Sequence, residues 1–121
     1  MKIGYITLAG EKHPLCFSLS AAEQIAAEFG DIDGMGKALA SDNTSTKLKA
    51  ISTVLDILVT AGRKYAEVMG MDLPKKLPCK PADLIDITDE EAIKSIFSAI
   101  KAGSDRDVEV AASKNAEAGQ E

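Results

Sequence analysis

Tryptophan is absent, and three phenylalanines with two tyrosines bring aromatics to only 4% of the 121 residues. Apolar residues still make up 45% of the chain, so the core must come mainly from Ala, Ile, Leu, Val and Met, which favours helices over a β-sandwich. Nowhere does an apolar run approach the roughly 20 residues needed to cross a bilayer. Met1-Lys2 leads into a short alternating segment, not the apolar stretch of a signal peptide. The expectation is a protein that stays in the cytoplasm of the cell that makes it. Cysteine is scarce too. Cys16 and Cys79 form neither a C-x-x-C pair nor a disulfide-dense scaffold, so reduced thiols are the default reading.

Basic clusters are also missing. Through Gly70 the chain carries seven basic and eight acidic residues, from Met71 to Gly103 five and six, and beyond Gly103 two and five, for a net charge of -5. Nucleic-acid binding needs Lys and Arg gathered on one face to neutralise phosphates. A protein partner fits this balance better. His13 is the sole histidine and has no local acid or cysteine pattern to make it a base or ligand, so an edge-strand histidine is the expectation. The acidic run Asp83, Asp86, Asp89, Glu90 and Glu91 lacks the glycine and spacing of a calcium loop and reads as helix-start acids. No phosphate-cradling glycine motif exists, Gly34-Met35-Gly36-Lys37 being a weak approach. No catalytic, cofactor-binding or metal site is therefore expected.

What is present reads as a mainly α (α+β) domain over residues 1–103. A β-hairpin opens it: Lys2 to Leu8 forms one strand, Gly10-Glu11-Lys12 the turn, and Leu15, Phe17 and Leu19 alternate along a second strand entered at Pro14. Ser20-Ala21-Ala22-Glu23 has the pattern of a capping box, placing a helix start at Ala21 and its stop at Gly30. Ile32, Met35 and Leu39 suggest a short helix weakened by Gly34 and Gly36. The strongest signal runs from Thr46 to Met69, where Leu48, Ile51, Leu55, Leu58, Gly62, Tyr65 and Met69 keep three-four spacing. Ala50, Val54, Ile57, Ala61 and Val68 form a second row beside it, so this long helix should be covered on most of its girth. A coiled coil is the weaker reading of the same spacing. Pro74 and Pro78 mark an irregular connection, Pro81 starts a short turn with Leu84 and Ile85, and Thr88-Asp89-Glu90-Glu91 opens a last helix. Its face is Ile93, Ile96, Phe97 and Ile100, with Gly103 as stop. In all, four to five helices are expected around one long central helix. Residues 104–121 hold two valines, no larger apolar side chain and five acids, and read as a flexible acidic tail with transient helix near Val108 to Ala112.

The order of these parts resembles a known family. The hairpin ending in Pro14-Leu15-Cys16-Phe17-Ser18-Leu19, the helix reaching Phe29-Gly30, the segment Leu55-Asp56-Ile57-Leu58-Val59-Thr60-Ala61-Gly62, the helix end at Met69-Gly70 and a last helix before an acidic tail are similar to the tail assembly chaperones of long-tailed bacteriophages and prophages. The resemblance spans residues 2 to 103 and rests on packing and turn patterns. It implies a non-enzymatic protein of the host cell cytoplasm that binds the tape measure protein, assists tail tube assembly and is absent from the mature virion. It also implies a longer frameshifted product that binds tail tube protein, of which this chain would be the short form. Ser113-Lys114-Asn115 can be encoded as TCA AAA AAC, a run on which slippage could occur. Contact candidates are the apolar residues outside the long helix, Met35, Leu73, Leu77 and Ile85. Self-association is compatible with the pattern, and neither nucleic acid nor membrane is an expected partner. The rival reading is a helical phage or prophage regulatory protein binding DNA or another protein, although Lys47, Lys49, Arg63 and Lys64 are too scattered for a recognition helix.

Overall fold

Two strands, Ile3–Leu8 (β1) and Glu11–Cys16 (β2), pair antiparallel, with Leu8 opposite Glu11 and Ile3 opposite Cys16. The computed structural model describes residues 2–103, so the expectations for the 104–121 tail lie outside the described residues. The turn is shorter than the sequence pattern suggests. Only Ale9's successor position and its neighbour are needed: Ala9 and Gly10 both adopt positive φ, 52° and 81°, the backbone that matches the right-handed twist of two-residue hairpins. Glu11 and Lys12, read as turn residues, belong to β2.

 

Because Leu8 and Glu11 close a two-residue turn, hydrogen-bonded and non-hydrogen-bonded pairs alternate back along the ladder, and the Tyr5–Pro14 pair is of the second kind. The ring nitrogen of Pro14, which has no proton to donate, therefore points away from β1, and so does its carbonyl. That outer edge of β2 faces the long helix, which packs against β2 more than any other element outside the hairpin does. A covering helix protects a strand edge that would otherwise pair with another chain. His13, Pro14, Leu15 and Cys16 are all buried, so β2 is enclosed on both faces.

Helix α1 (Leu19–Phe29) begins two residues before the expected start. Its cap is Ser18, whose Oγ accepts the Ala21 amide at 3.1 Å, and not Ser20. With the cap moved, Leu19 enters the first helical turn instead of continuing the strand alternation, and it is 81% exposed. Ala21 and Ile25 are the residues that α1 buries. Gly30 ends the helix as expected, with φ 91°, its amide donating to the Ala26 carbonyl. Helix α2 (Ile32–Leu39) is capped by Asp31, which accepts the Gly34 amide at 2.6 Å, and buries Met35 and Leu39.

The long helix, α3 (Thr44–Met69), starts two residues earlier than the apolar spacing suggests because Asn43 caps it, accepting the Thr46 amide. Gly70 closes it in the left-handed conformation, φ 69°. Its centre is enclosed: Val54, Leu55 and Leu58 have no exposed surface. Burying side chains of this size contributes about 1.5–3 kcal/mol each. The ends depart from the expected rows, since Met69 is 58% and Val68 84% exposed. Arg63 and Glu67 form the expected i,i+4 pair at 3.6 Å, which at this exposure contributes little.

After the irregular 71–80 connection, Pro81 opens a 3-10 turn, Pro81–Leu84. The last helix, α4, covers residues 90–103. Its cap is Asp89, which accepts the Ala92 amide at 3.1 Å, so the expected Thr88 box is displaced by one residue. Thr88 instead donates its amide and hydroxyl to Asp86. Ile96 and Ile100 are buried as the spacing implies, together with Ala92 and Ala99, while Phe97 is 40% exposed. Gly103 is not a stop among the described residues. It is helical and buried, and a Cβ there would collide with the Phe17 ring, so glycine lets α4 close against the end of the hairpin.

Candidate functional site

The apolar row of α3 is fully covered from Leu55 to Gly62 but not at its start, where Leu48 is 39% exposed. Opposite that uncovered start stands the beginning of α4, and between them runs the 82–87 segment. Together they enclose an open groove of about 610 Å³. Leu48, Ile51 and Leu55 of α3 form one wall, Ile93 and Phe97 of α4 the other, and Ala82, Ile85 and Ile87 lie along the connecting segment. Leu39, from the end of α2, also lines it, and the polar lining residues are Thr44, Lys47, Ser52 and Asp86. Ile87 is 70% exposed. It is held there by its neighbours, because Asp86 Oδ1 accepts the Thr88 amide at 2.8 Å and the Thr88 hydroxyl at 2.5 Å, a local turn that competes with helix formation. Exposed apolar side chains gathered in one concave place, rather than scattered singly, mark a surface for binding.

Of the four contact candidates, only Ile85 lines this groove. Met35 is a correction: it is 2% exposed and belongs to the core, because the short helix α2 turns it inward with Leu39. Leu77 is partly buried against the core and lines a second cavity, and Leu73 is half-buried and lines neither. The sequence reading missed Leu48, Ile51, Ile93 and Phe97 as contact residues by assigning them to the core face of their helices. Ile87 was not singled out at all, although an isolated large apolar residue between Asp86 and Thr88 is a visible signal.

The second cavity, about 310 Å³, lies between β2, the second half of α3 and the 76–81 segment. Arg63 ties the preceding connection to α3, its Nη1 donating to the Pro74 carbonyl at 3.0 Å. His13 lines this cavity at 2% exposure, and its Nε2 has no hydrogen-bond partner. The expected edge-strand histidine is thus enclosed, because α3 covers the strand that carries it. Burial lowers the imidazole pKa below the ordinary histidine value; Glu11 pulls it back up and Arg63 lowers it further. The folded state therefore binds fewer protons than the unfolded state in the weakly acidic range. This stability is present above the unfolded value of about 6.5 and is lost as pH falls through the depressed folded value. Melting temperatures recorded between about pH 7 and about pH 5 are expected to fall more steeply for the native chain than for His13→Gln. Parallel slopes would show that His13 does not carry the effect.

Among the described residues, no three His, Cys, Asp or Glu side chains are grouped to hold a metal ion. Cys16 is buried and Cys79 exposed, and no disulfide joins them. No helix of the described residues is long and apolar enough to cross a membrane.

Comparison with protein-family models, with characterised proteins and with solved structures found no match. The groove is consequently the feature from which function is argued. Its chemistry is that of a docking surface: apolar walls supplied by two helices, a polar rim, and three large apolar side chains that face solvent in the isolated chain.

Proposed function

We propose that this chain is a non-enzymatic tail assembly chaperone of a long-tailed bacteriophage or prophage, and that it holds the tape measure protein in the groove between α3 and α4. The observation that carries this reading is the exposure of Leu48, Ile87 and Phe97 around a single apolar groove. Such a surface gives an assembly factor a place to hold an apolar segment until the tail tube covers it. The arrangement of hairpin, long helix and last helix that resembles this family supports the same reading. On this proposal the protein acts in the host cell cytoplasm and is absent from the mature virion. A longer frameshifted form would add the contact with tail tube protein.

The test is co-expression with the tape measure protein encoded beside the gene. Co-purification is expected with the native chain and is expected to fall at least about tenfold with Phe97→Asp, since losing an apolar anchor at an interface costs about 1–2 kcal/mol or more. No co-purification with the native chain, or a gene lying outside a tail-assembly region, would sink the chaperone reading. The chain is also expected not to shift duplex DNA at physiological salt, because its net charge of -5 opposes phosphate contact. Submicromolar binding in a mobility-shift assay would put a DNA-binding regulator in its place.

A further inference from the structure

We propose that the partner segment received by the groove is a basic amphipathic helix, with Lys or Arg side chains flanking its apolar stripe. This inference rests on the docking role proposed for the groove and adds the chemistry of the occupant.

The shape of the groove argues for a helix. Leu48, Ile51 and Leu55 repeat at three-four spacing along one wall, and Ile93 and Phe97 lie four apart on the other. Side chains in such rows leave the channels into which another helix sets its own i, i+3, i+4 and i+7 residues. An extended segment would need a strand edge to supply its backbone with hydrogen bonds, and no residue of the hairpin lines the groove.

Charge argues for the sign. Asp83, Asp86, Asp89, Glu90 and Glu91 fall within one nine-residue stretch that holds no Lys or Arg, and this stretch runs along the groove. None of these five carboxylates is in an ion pair with a described Lys or Arg. Three of them are fixed in place by local hydrogen bonds: Asp83 accepts the Lys80 amide, Asp86 the Thr88 amide and Asp89 the Ala92 amide. These bonds leave the negative charge in place while holding it beside the apolar lining. The hydroxyl and amide of Thr88 also lower the Asp86 pKa, which keeps that carboxylate ionised. Across the groove, Lys47 is the one cation among the lining residues. A helix that buries its stripe here therefore meets an acidic flank, and basic flanking residues complement it.

The same charge disfavours the other occupants. Residues 104–121 of the chain itself carry five acids and two bases, with valine as their largest apolar side chain. A second copy of the chain would bring net charge -5 to the site, and in a two-fold contact would set acidic flank against acidic flank.

Two synthetic amphipathic helices with the same leucine stripe, one with a lysine polar face and one with glutamate, distinguish these possibilities on the full chain. The lysine helix is expected to bind at least about tenfold more tightly than the glutamate helix, and to weaken as salt is raised. Phe97→Asp and Ile87→Asp, each checked for native circular dichroism, are expected to weaken it about tenfold. The Ile87 variant, in an exposed turn, guards against a fold lost through Phe97. Combined Glu90→Lys and Glu91→Lys should narrow or invert the preference without removing any of the three carboxylates that accept local amides. Equal binding of the two helices, no binding of either, or lysine-helix binding that both aspartate variants leave intact, would each overturn the proposal. Binding of the lysine helix in the groove without retention of the tape measure protein would leave this inference standing and remove only the chaperone reading. Retention of the tape measure protein through another surface would do the reverse.

Discussion

Replacing Leu58 with aspartate is expected to leave no cooperatively folded protein at room temperature. Leu58 lies at the centre of α3 with no exposed surface, among the core residues contributed by the hairpin and the other helices. The substitution removes about 1.5–3 kcal/mol of apolar burial and adds several kcal/mol for enclosing an unpaired charge. Domains of this size are stable by only about 5–15 kcal/mol, so the combined loss consumes most or all of the margin. Leu55→Asp should behave in the same way, since Leu55 is equally enclosed. Val68→Asp is the control. It lies on the same helix and in one of the same apolar rows, but at 84% exposure it should change stability by no more than about 0.5 kcal/mol. Circular dichroism melts decide the matter: an ordinary transition for both leucine variants would mean that the core is not where α3 meets its neighbours.

Gly62→Ala is expected to destabilise the domain by about 3 kcal/mol, although it adds a single methyl group and replaces a poor helix former with the best one. The reason is a contact between backbones. A Cβ at position 62 would overlap the carbonyl group of Pro14, with the Leu15 nitrogen only 3.0 Å away. Flexible side chains can swing aside, but a strand carbonyl held in a hairpin can move only if the strand or the helix moves with it. The helix preference for alanine, about 1 kcal/mol, offsets only part of that cost. At roughly 4–8 °C per kcal/mol for a domain of this size, the melting temperature should drop by more than about 10 °C. Gly36→Ala provides the contrast, because a Cβ in that position meets nothing within 4 Å. It should stabilise α2 by about 0.5–1 kcal/mol. If the two alanine variants melt alike, α3 does not approach β2 as closely as the structure shows.

The boundaries of the elements illustrate how far local chemistry carries a reading. Gly30 and Gly70 end their helices where the pattern places them, because a left-handed or otherwise positive φ is a local requirement that glycine meets best. The N-termini were less legible. Ser18 and Ser20 both precede a helical pattern, as do Thr88 and Asp89, and which oxygen takes the free amide depends on how the preceding chain arrives. Gly103 shows the same ambiguity at the other end: a glycine that reads as a stop serves to admit Phe17.

The groove was the least legible feature. Leu48 and Phe97 obey the same periodicity as Leu58 and Ile96, and nothing in spacing alone says that the first pair faces an opening and the second the core. Met35 was drawn toward the surface by its position in a short, glycine-containing segment, yet it is enclosed because α2 packs against both α1 and α3.

The sequence by itself determined the element types and their order, since hydrophobic period, capping residues and turn glycines act over a few neighbouring positions. It also determined the acidic balance and the long central helix, whose two apolar rows require cover on most sides. Only the tertiary structure decided that α3 lies along the outer edge of β2, that His13 is enclosed by it, and that the start of α3 and the start of α4 leave a groove between them. These outcomes depend on which surfaces meet across long stretches of chain. Periodicity states how much apolar surface a helix must bury, while packing selects the partner that buries it and the part that stays open.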